Sequence, residues 1–358
     1  MKNLKRILSV LLILVIACSF AGCHKKGEIA VKIGDIEFTS AYYMCALVNA
    51  DNEARNLVYD DLTDEELNGE VEVDIYSKKV EDKKFVDWVE DTAMDYLKGI
   101  AAYKSLCAEN KLEIDEETQN NNKLYIEYYW QSYASYYEAN GVGKETYVQY
   151  MNDSYYSEMY FEHLYAKDGE KEINAEDVKN KIYDNFVIAN ILNATITSDM
   201  EESDIAIVKS QFDGYAEKLK TGKATFKEIY NEYNGVKEED HNHEEDETEE
   251  SKPKDEYATV IGAEGTTYES SDYETIKAMA TGEVKVIKTE DGGYTLVVKQ
   301  DIKADEYYLE NLDMSARHLI ADEEYEKLIE DYAKKLEPEI NNYAVKQFKV
   351  KKIVQPTY

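Results

Sequence analysis

The sequence predicts an α+β protein: a mostly helical body into which a smaller unit of mixed strands and helices is inserted. Three observations predict it. Apolar residues recur at helical spacing from Phe85 to Leu106 and again from Leu124 to Tyr165. The character changes at Phe186, where strand-like runs (186–196, 257–262, 284–287 and 294–299) alternate with three helical stretches. Helical periodicity then returns at 323–336.

The N-terminus comes first. Lys2, Lys5 and Arg6 precede an apolar run, Ile7 to Ile16, and then Ala17-Cys18-Ser19-Phe20-Ala21-Gly22-Cys23. A bilayer span needs about 20 apolar residues, so this run is too short to cross. A charged start, a short apolar core and small residues make a secretory signal over residues 1–22. Ala21-Gly22-Cys23 resembles the lipobox of bacterial lipoproteins, in which the cysteine is acylated and becomes the new N-terminus. Phe20 departs from the usual leucine, and Val15-Ile16-Ala17-Cys18 is a competing match. Cys23 is preferred because it ends the apolar core and polar His24-Lys25-Lys26 follow at once. Two acyl chains on one cysteine suffice for stable anchoring. The mature chain is therefore expected outside the cytoplasm, lipid-anchored at the cell membrane.

Charge narrows the function. The chain has 358 residues, a formal net charge of -34 and a mean hydropathy of -0.62. Removing the three positive charges of the signal takes -34 to about -37. Such a surface repels nucleic acid. It is also repelled by anionic headgroups, which leaves anchoring to the lipid. Cys45 and Cys107 are able to pair in an oxidising compartment, but both lie on apolar helical patterns that favour buried thiols.

The remaining elements follow in order. Ile29 to Phe38 reads as a hairpin turning at Gly34-Asp35, with Thr39 or Ser40 capping the next helix. Residues 60–84 read as an acidic loop with short strands near 71–75. A long helix carries Phe85, Trp88, Val89, Ala93, Tyr96, Leu97, Ile100 and Lys104, and a new helix starts at Asp115. Residues 124–165 are two tyrosine-rich helices broken at Gly141-Val142-Gly143. Asn174 caps a helix to about Asn185. Helices at 203–220 and 226–233 precede an acidic run, 237–256, with eleven Asp/Glu against three Lys, read as a solvated disordered loop. A helix at 273–280 separates the later strands, and 348–354 reads as a last strand.

These pieces, in this order, resemble the SurA/PrsA family of extracytoplasmic foldases. Residues 31–38 resemble that family's opening hairpin, and 89–118 its long helix and following turn. Residues 187–302 resemble a parvulin prolyl-isomerase unit: Ala189-Asn190-Ile191-Leu192 stands where the family has Ser-His-Ile-Leu, and Gly292-Gly293-Tyr294-Thr295 resembles the last strand. The resemblance implies a SurA-like helical domain over 23–185, a parvulin-like domain over 186–302, and a segment, 303–358, that packs back on the helical domain. It also implies an isomerase site. Its two histidines fall on Asn190 and Thr295, its acidic or cysteine position lies somewhere between Tyr233 and Gly262, and Tyr273 takes the place of a pocket phenylalanine. That site is expected to have decayed.

Tyrosine carries the sharper expectation. There are 32 Tyr against 8 Phe and 2 Trp, and twelve of the tyrosines lie between Tyr125 and Tyr165. Periodic aromatics usually form core. The adjacent pairs Tyr128-Tyr129, Tyr136-Tyr137 and Tyr155-Tyr156 cannot all face one core, because neighbours on a helix point apart. With Trp130 they are the candidate client-binding residues, since exposed amphipathic rings suit loose peptide contact. His241-Asn242-His243 beside acids is a weak divalent-metal candidate without zinc spacing, and no metal or other cofactor is expected. His163 and His318 read as structural or surface residues. The expected partners are unfolded, newly exported polypeptides and the membrane. The alternatives are an active prolyl isomerase with a rearranged site, or an adaptor lipoprotein with one fixed partner.

Overall fold

The computed structural model describes residues 27–68, 71, 73–197, 200–236, 255–289 and 292–355. The signal segment, Cys23, and the acidic run from 237 to 254 with His241 and His243 lie outside the described residues. The fold is α+β. It divides into two compact units, one containing the chain up to His163 together with Glu324 onward, the other running from Leu164 to Glu323. Against expected boundaries at 185/186 and 302/303, each division lies about twenty residues further out, inside a helix.

In the first unit, β1 (Ile29–Ile33) and β2 (Ile36–Thr39) form the expected hairpin, with Lys32 opposite Glu37. Gly34 turns it at φ +59, a backbone region glycine enters without steric cost. The Thr39 hydroxyl accepts the Tyr42 N–H and caps α1 (Ser40–Asp60). Every residue of α1 from Ser40 to Val48 is buried, as a helix apolar on all sides demands. The strands are not at 71–75. That stretch leads into a 3-10 turn at Ile75–Ser77, and a two-residue ladder follows at Lys79–Val80 and Lys83–Lys84. Then α2 (Phe85–Glu109) lays Phe85, Trp88, Val89, Ala93, Leu97 and Ile100 into the core that α1 supplies. Asp115 caps α3 (Glu116–Ala139). Gly141, at φ +81, separates it from α4 (Lys144–Tyr165).

The second unit starts its sheet after α5 (Ala175–Asn185), capped by Asn174. The central strand is β3 (Phe186–Asn193). Helices α6 (Glu202–Lys220) and α7 (Phe226–Asn234) follow; α7 carries a complete Thr225/Glu228 capping box. After the acidic run come β4 (Ala258–Gly262), the short α8 (Tyr273–Lys277), β5 (Val284–Lys288) and β6 (Tyr294–Lys299). The sheet is antiparallel with order β4-β3-β6-β5. Successive side chains of a strand point to opposite faces. One face puts Leu192 and Leu296 against Phe212, Tyr215 and Ile229, and Phe186 and Ile188 against Val178, Tyr308 and Leu312. The other puts Val187, Ala189 and Val297 against Tyr273, Ile276 and Met279. Helix α9 (Glu306–Asn311) and α10 (Asp313–Ala333) as far as Glu323 complete the unit.

From Glu324 the chain belongs to the first unit again. Its third strand there is β7 (Pro338–Ile340), antiparallel to β1, with Val31 opposite Ile340. The expected strand at 348–354 is instead a 3-10 turn at Val350–Lys352 after the one-turn helix α11 (Asn342–Val345). Ala344, Val350 and Ile353 join the core around α1 and α2. Cys45 and Cys107 are free buried thiols, and burial pushes the Cys107 thiol up to about 11. Among the described residues no helix is long and apolar enough to cross a membrane.

Candidate functional site

The three positions expected to be the remnant of an isomerase site lie in the second unit. Asn190, Tyr273 and Thr295 are all buried, yet the sheet does not bring them together. Asn190 is opposite Val298 in the β3–β6 ladder, whereas Thr295 is opposite Asn193. An unbroken ladder keeps paired residues on one face, so Asn190 and Thr295 point to opposite faces. The expectation that they form the remnant of one site is corrected by this register. Thr295 Oγ1 donates to Asn193 Oδ1 at 2.8 Å, and Tyr273 donates its hydroxyl to the Asp184 carbonyl. Thr295 and Tyr273 share a face, where β3 presents Ile191 and Asn193 instead of Asn190.

Asn190 has its own network. Its Nδ2 donates to Asp255 Oδ2 at 2.8 Å, and Gln300 Nε2 donates to its Oδ1. Asp255 falls in the 233–262 window in which an acidic position was expected. It was hidden in the sequence as one of the eleven carboxylates of residues 237–256. Replacing Asn190 with alanine strands the Gln300 amide and one Asp255 oxygen. The expected cost is about 1–2 kcal/mol, read as a lower urea midpoint. Chemically the set offers amide, hydroxyl and phenol groups; the described histidines, His163 on α4 and His318 on α10, stand outside this sheet. A hollow of about 410 Å³ opens at the end of β3 beside the Phe226, Tyr230 and Tyr257 rings, with centroids 5.1 to 6.5 Å apart.

The larger concavity, about 760 Å³, lies in the first unit. Its lining comes from α1 (Asn52, Arg55, Asn56, Tyr59), α3 (Tyr133, Tyr136, Tyr137), α4 (Tyr147, Met151) and Gln355. The rings pack as a continuous aromatic body: Tyr137 and Tyr147 centroids are 4.7 Å apart, and Trp130 and Tyr147 are 5.2 Å apart. The polar tips are held from α1. Tyr136 donates its hydroxyl to Asn52 Oδ1 at 3.0 Å, and Tyr137 donates to Asn49 Oδ1 at 3.1 Å. Burial raises the Tyr137 and Tyr147 phenols above their ordinary range, so both stay neutral. Arg55 is fixed by buried Asp51, with Nε to Oδ2 at 2.7 Å, and by the Tyr76 hydroxyl. Gln355 Nε2 donates to the same Asp51 oxygen at 2.8 Å. The cleft therefore offers aromatic faces, amides and one held cation.

The candidate tyrosines divide. Tyr128 and Tyr129 are exposed and extend, with Leu124, Tyr125 and Tyr133, a stripe along α3. Trp130, Tyr136 and Tyr137 are core residues, so these three of the candidate client-binding residues do not stand on the exposed stripe. The Tyr136–Tyr137 pair is buried together because each hydroxyl reaches a different asparagine on α1. Tyr155 and Tyr156 are half-buried, and the Lys104 ammonium sits 5.3 Å from the Tyr156 ring centre. Tyr59, Arg55, Tyr147 and Gln355 were not singled out in the sequence. Asn49, Asn52 and Asn56, three and four residues apart and so along one side of α1, were the available signal. Among the described residues no cluster of three or more His, Cys, Asp or Glu side chains is placed to hold a metal.

No family model matches the sequence, and no curated protein matches it. Among solved structures the chain is similar to the foldase protein PrsA from Lactococcus lactis, at 12% identity and a TM-score of 0.38, over 88% of this chain and 96% of that one. It is similar to the foldase protein PrsA from Streptococcus pneumoniae, at 13% identity and a TM-score of 0.38, over 74% and 91%. A third similar structure comes from work on PEB4 and the periplasmic protein Cj1289, two SurA-like chaperones of Campylobacter jejuni, at 11% identity and a TM-score of 0.25, over 88% and 99%.

Proposed function

We propose that the protein is a lipid-anchored extracytoplasmic chaperone of the foldase type, holding unfolded exported chains in the tyrosine-lined cleft. The observation that carries this reading is the cleft with its flanking stripe: a wide, open, aromatic surface with amide and hydroxyl tips. Rings of this kind supply large contact area at low entropic cost, and neutral polar tips suit an extended peptide backbone. Contiguous exposed apolar surface on a soluble body marks an interaction site. The parvulin-like unit serves as a scaffold of little or no isomerase activity, because the positions that carry imidazoles in the family hold Asn190 and Thr295 on opposite faces of the sheet. Cys23 supplies the anchor.

The test is aggregation suppression. The mature chain is added at increasing ratios to two unrelated unfolding proteins while light scattering is followed. Protection of both is expected. Protection of neither moves the reading to an adaptor with one fixed partner. Acceleration of a proline-limited refolding reaction by the same preparation overturns the scaffold role of the second unit.

A further inference from the structure

The charge of this chain is not evenly spread. Residues 341–355 carry Lys346, Lys349, Lys351 and Lys352 and not one Asp or Glu, in a protein of net charge -34. All four lysines are exposed, and among the described residues none is in an ion pair. The nearest acids in sequence, Glu337 and Glu339, precede the segment, and Glu339 is opposite Lys32 in the β1–β7 ladder. The segment is a rigid mount. Ala344, Val350 and Ile353 are buried in the core, the Phe348 ring lies 6.3 Å from Tyr43, and Lys351 sits 5.4 Å over the Tyr76 ring. Asn140 closes its far end, donating to the Val354 carbonyl and accepting the Val354 N–H, both at 2.9 Å. Beside the lysines stand exposed apolar groups: Tyr343 is 73% exposed, and Ile340 and Val354 are exposed.

The near end of the segment adjoins the start of the described chain. Asn341 donates its backbone N–H to the Ala30 carbonyl and its Nδ2 to the Ile29 carbonyl and Glu28 Oε1. Only four residues lie between Cys23 and Glu28, a reach of at most about 18 Å over the five chain steps. Lysines with an aromatic ring, mounted that close to an acylated cysteine, have the chemistry of a bilayer interface. Ammonium groups meet anionic headgroups, and tyrosine sits at headgroup level. Charge elsewhere is screened over about 8 Å at physiological ionic strength, so the acidic remainder does not cancel the patch at contact.

We infer that residues 341–354 form a membrane-facing patch that seats against anionic phospholipid headgroups beside the Cys23 tether. This goes beyond the anchoring in the proposed function. The lipid holds the protein at the membrane, whereas the patch decides which side faces it. It rests on that reading only for the position of the tether.

The probe is the mature chain with Cys23→Ser, sedimented with vesicles of phosphatidylcholine alone or with phosphatidylglycerol added. The chain is expected to sediment with the anionic vesicles, to leave the neutral ones in solution, and to be released by salt. The reversal K346E/K349E/K351E/K352E is expected to weaken anionic-vesicle binding at least about tenfold, and the all-arginine variant to retain it. No binding by the parent chain, equal binding to both vesicles, or a charge-reversed variant that binds like the parent overturns the inference. Acylation is scored apart from this, by detergent partitioning of the full-length chain with and without Cys23→Ala. A failure of the anchor therefore reads differently from a failure of the patch.

Discussion

Replacing Asp51 with alanine lowers the stability of the first unit by about 3 kcal/mol and weakens whatever binds in its cleft. The Asp51 side chain has no exposed surface, and its partner Arg55 is only 14% exposed. Removing one member of a buried pair leaves the other as an uncompensated charge, which costs more than the pair was worth. Two further groups lose their acceptor: Gln355, which donates to the same oxygen, and the Arg55 Nη2 that also reaches the Tyr76 hydroxyl. Asp51→Asn keeps an acceptor for Gln355 and is expected to cost less. Urea unfolding of the three proteins measures the order. A loss below about 1 kcal/mol for the alanine variant means that Arg55 finds water or another carboxylate, and the cleft does not depend on this pair.

The second large effect concerns binding. The double variant Tyr59→Ser/Tyr133→Ser is expected to bind a labelled unfolded client at least about tenfold more weakly, which corresponds to about 1.4 kcal/mol. Both rings line the cleft and both are exposed, Tyr59 at 52% and Tyr133 at 44%. Surface substitutions of this kind change stability by about 0.5 kcal/mol or less each, so the folded fraction stays the same. Titrations followed by fluorescence anisotropy give the affinities, with Tyr128→Ser as a comparison on the α3 stripe outside the cleft lining. Unchanged affinity in the double variant removes the cleft from the account of function.

Much of the architecture was legible because it is written in local signals. Thr39, Asp115 and Asn174 cap the helices they were expected to cap, and the Gly141 break falls where the two tyrosine-rich helices part. What was not legible depends on pairing. Pro338-Glu339-Ile340 has no strand composition, yet it closes the sheet beside β1 as an edge strand with proline in its first position. The residues 348–354 alternate as a strand does, but their buried members, Val350 and Ile353, are three apart, which a 3-10 turn places on one side. The Asn190–Thr295 separation was invisible for a related reason. Each residue was assigned from its own strand, and only the ladder register decides whether two strands present residues to the same face. The tyrosine excess pointed to exposed rings, but the asparagines of α1 accept both hydroxyls of the Tyr136–Tyr137 pair and hold both rings inside.

The pairing of β1 with β7 joins residues some three hundred positions apart. A chain made N-terminus first presents Ile29–Ile33 early and Pro338–Ile340 almost last. The second unit, continuous from Leu164 to Glu323, has its last strand in hand at Lys299, so its sheet closes before the strand that β1 awaits has been made. Until then the β1 edge, with buried Val31 and Ile33, has an open side. The first unit, whose β1 strand is among the first residues made, is thus the last part of the molecule to be completed.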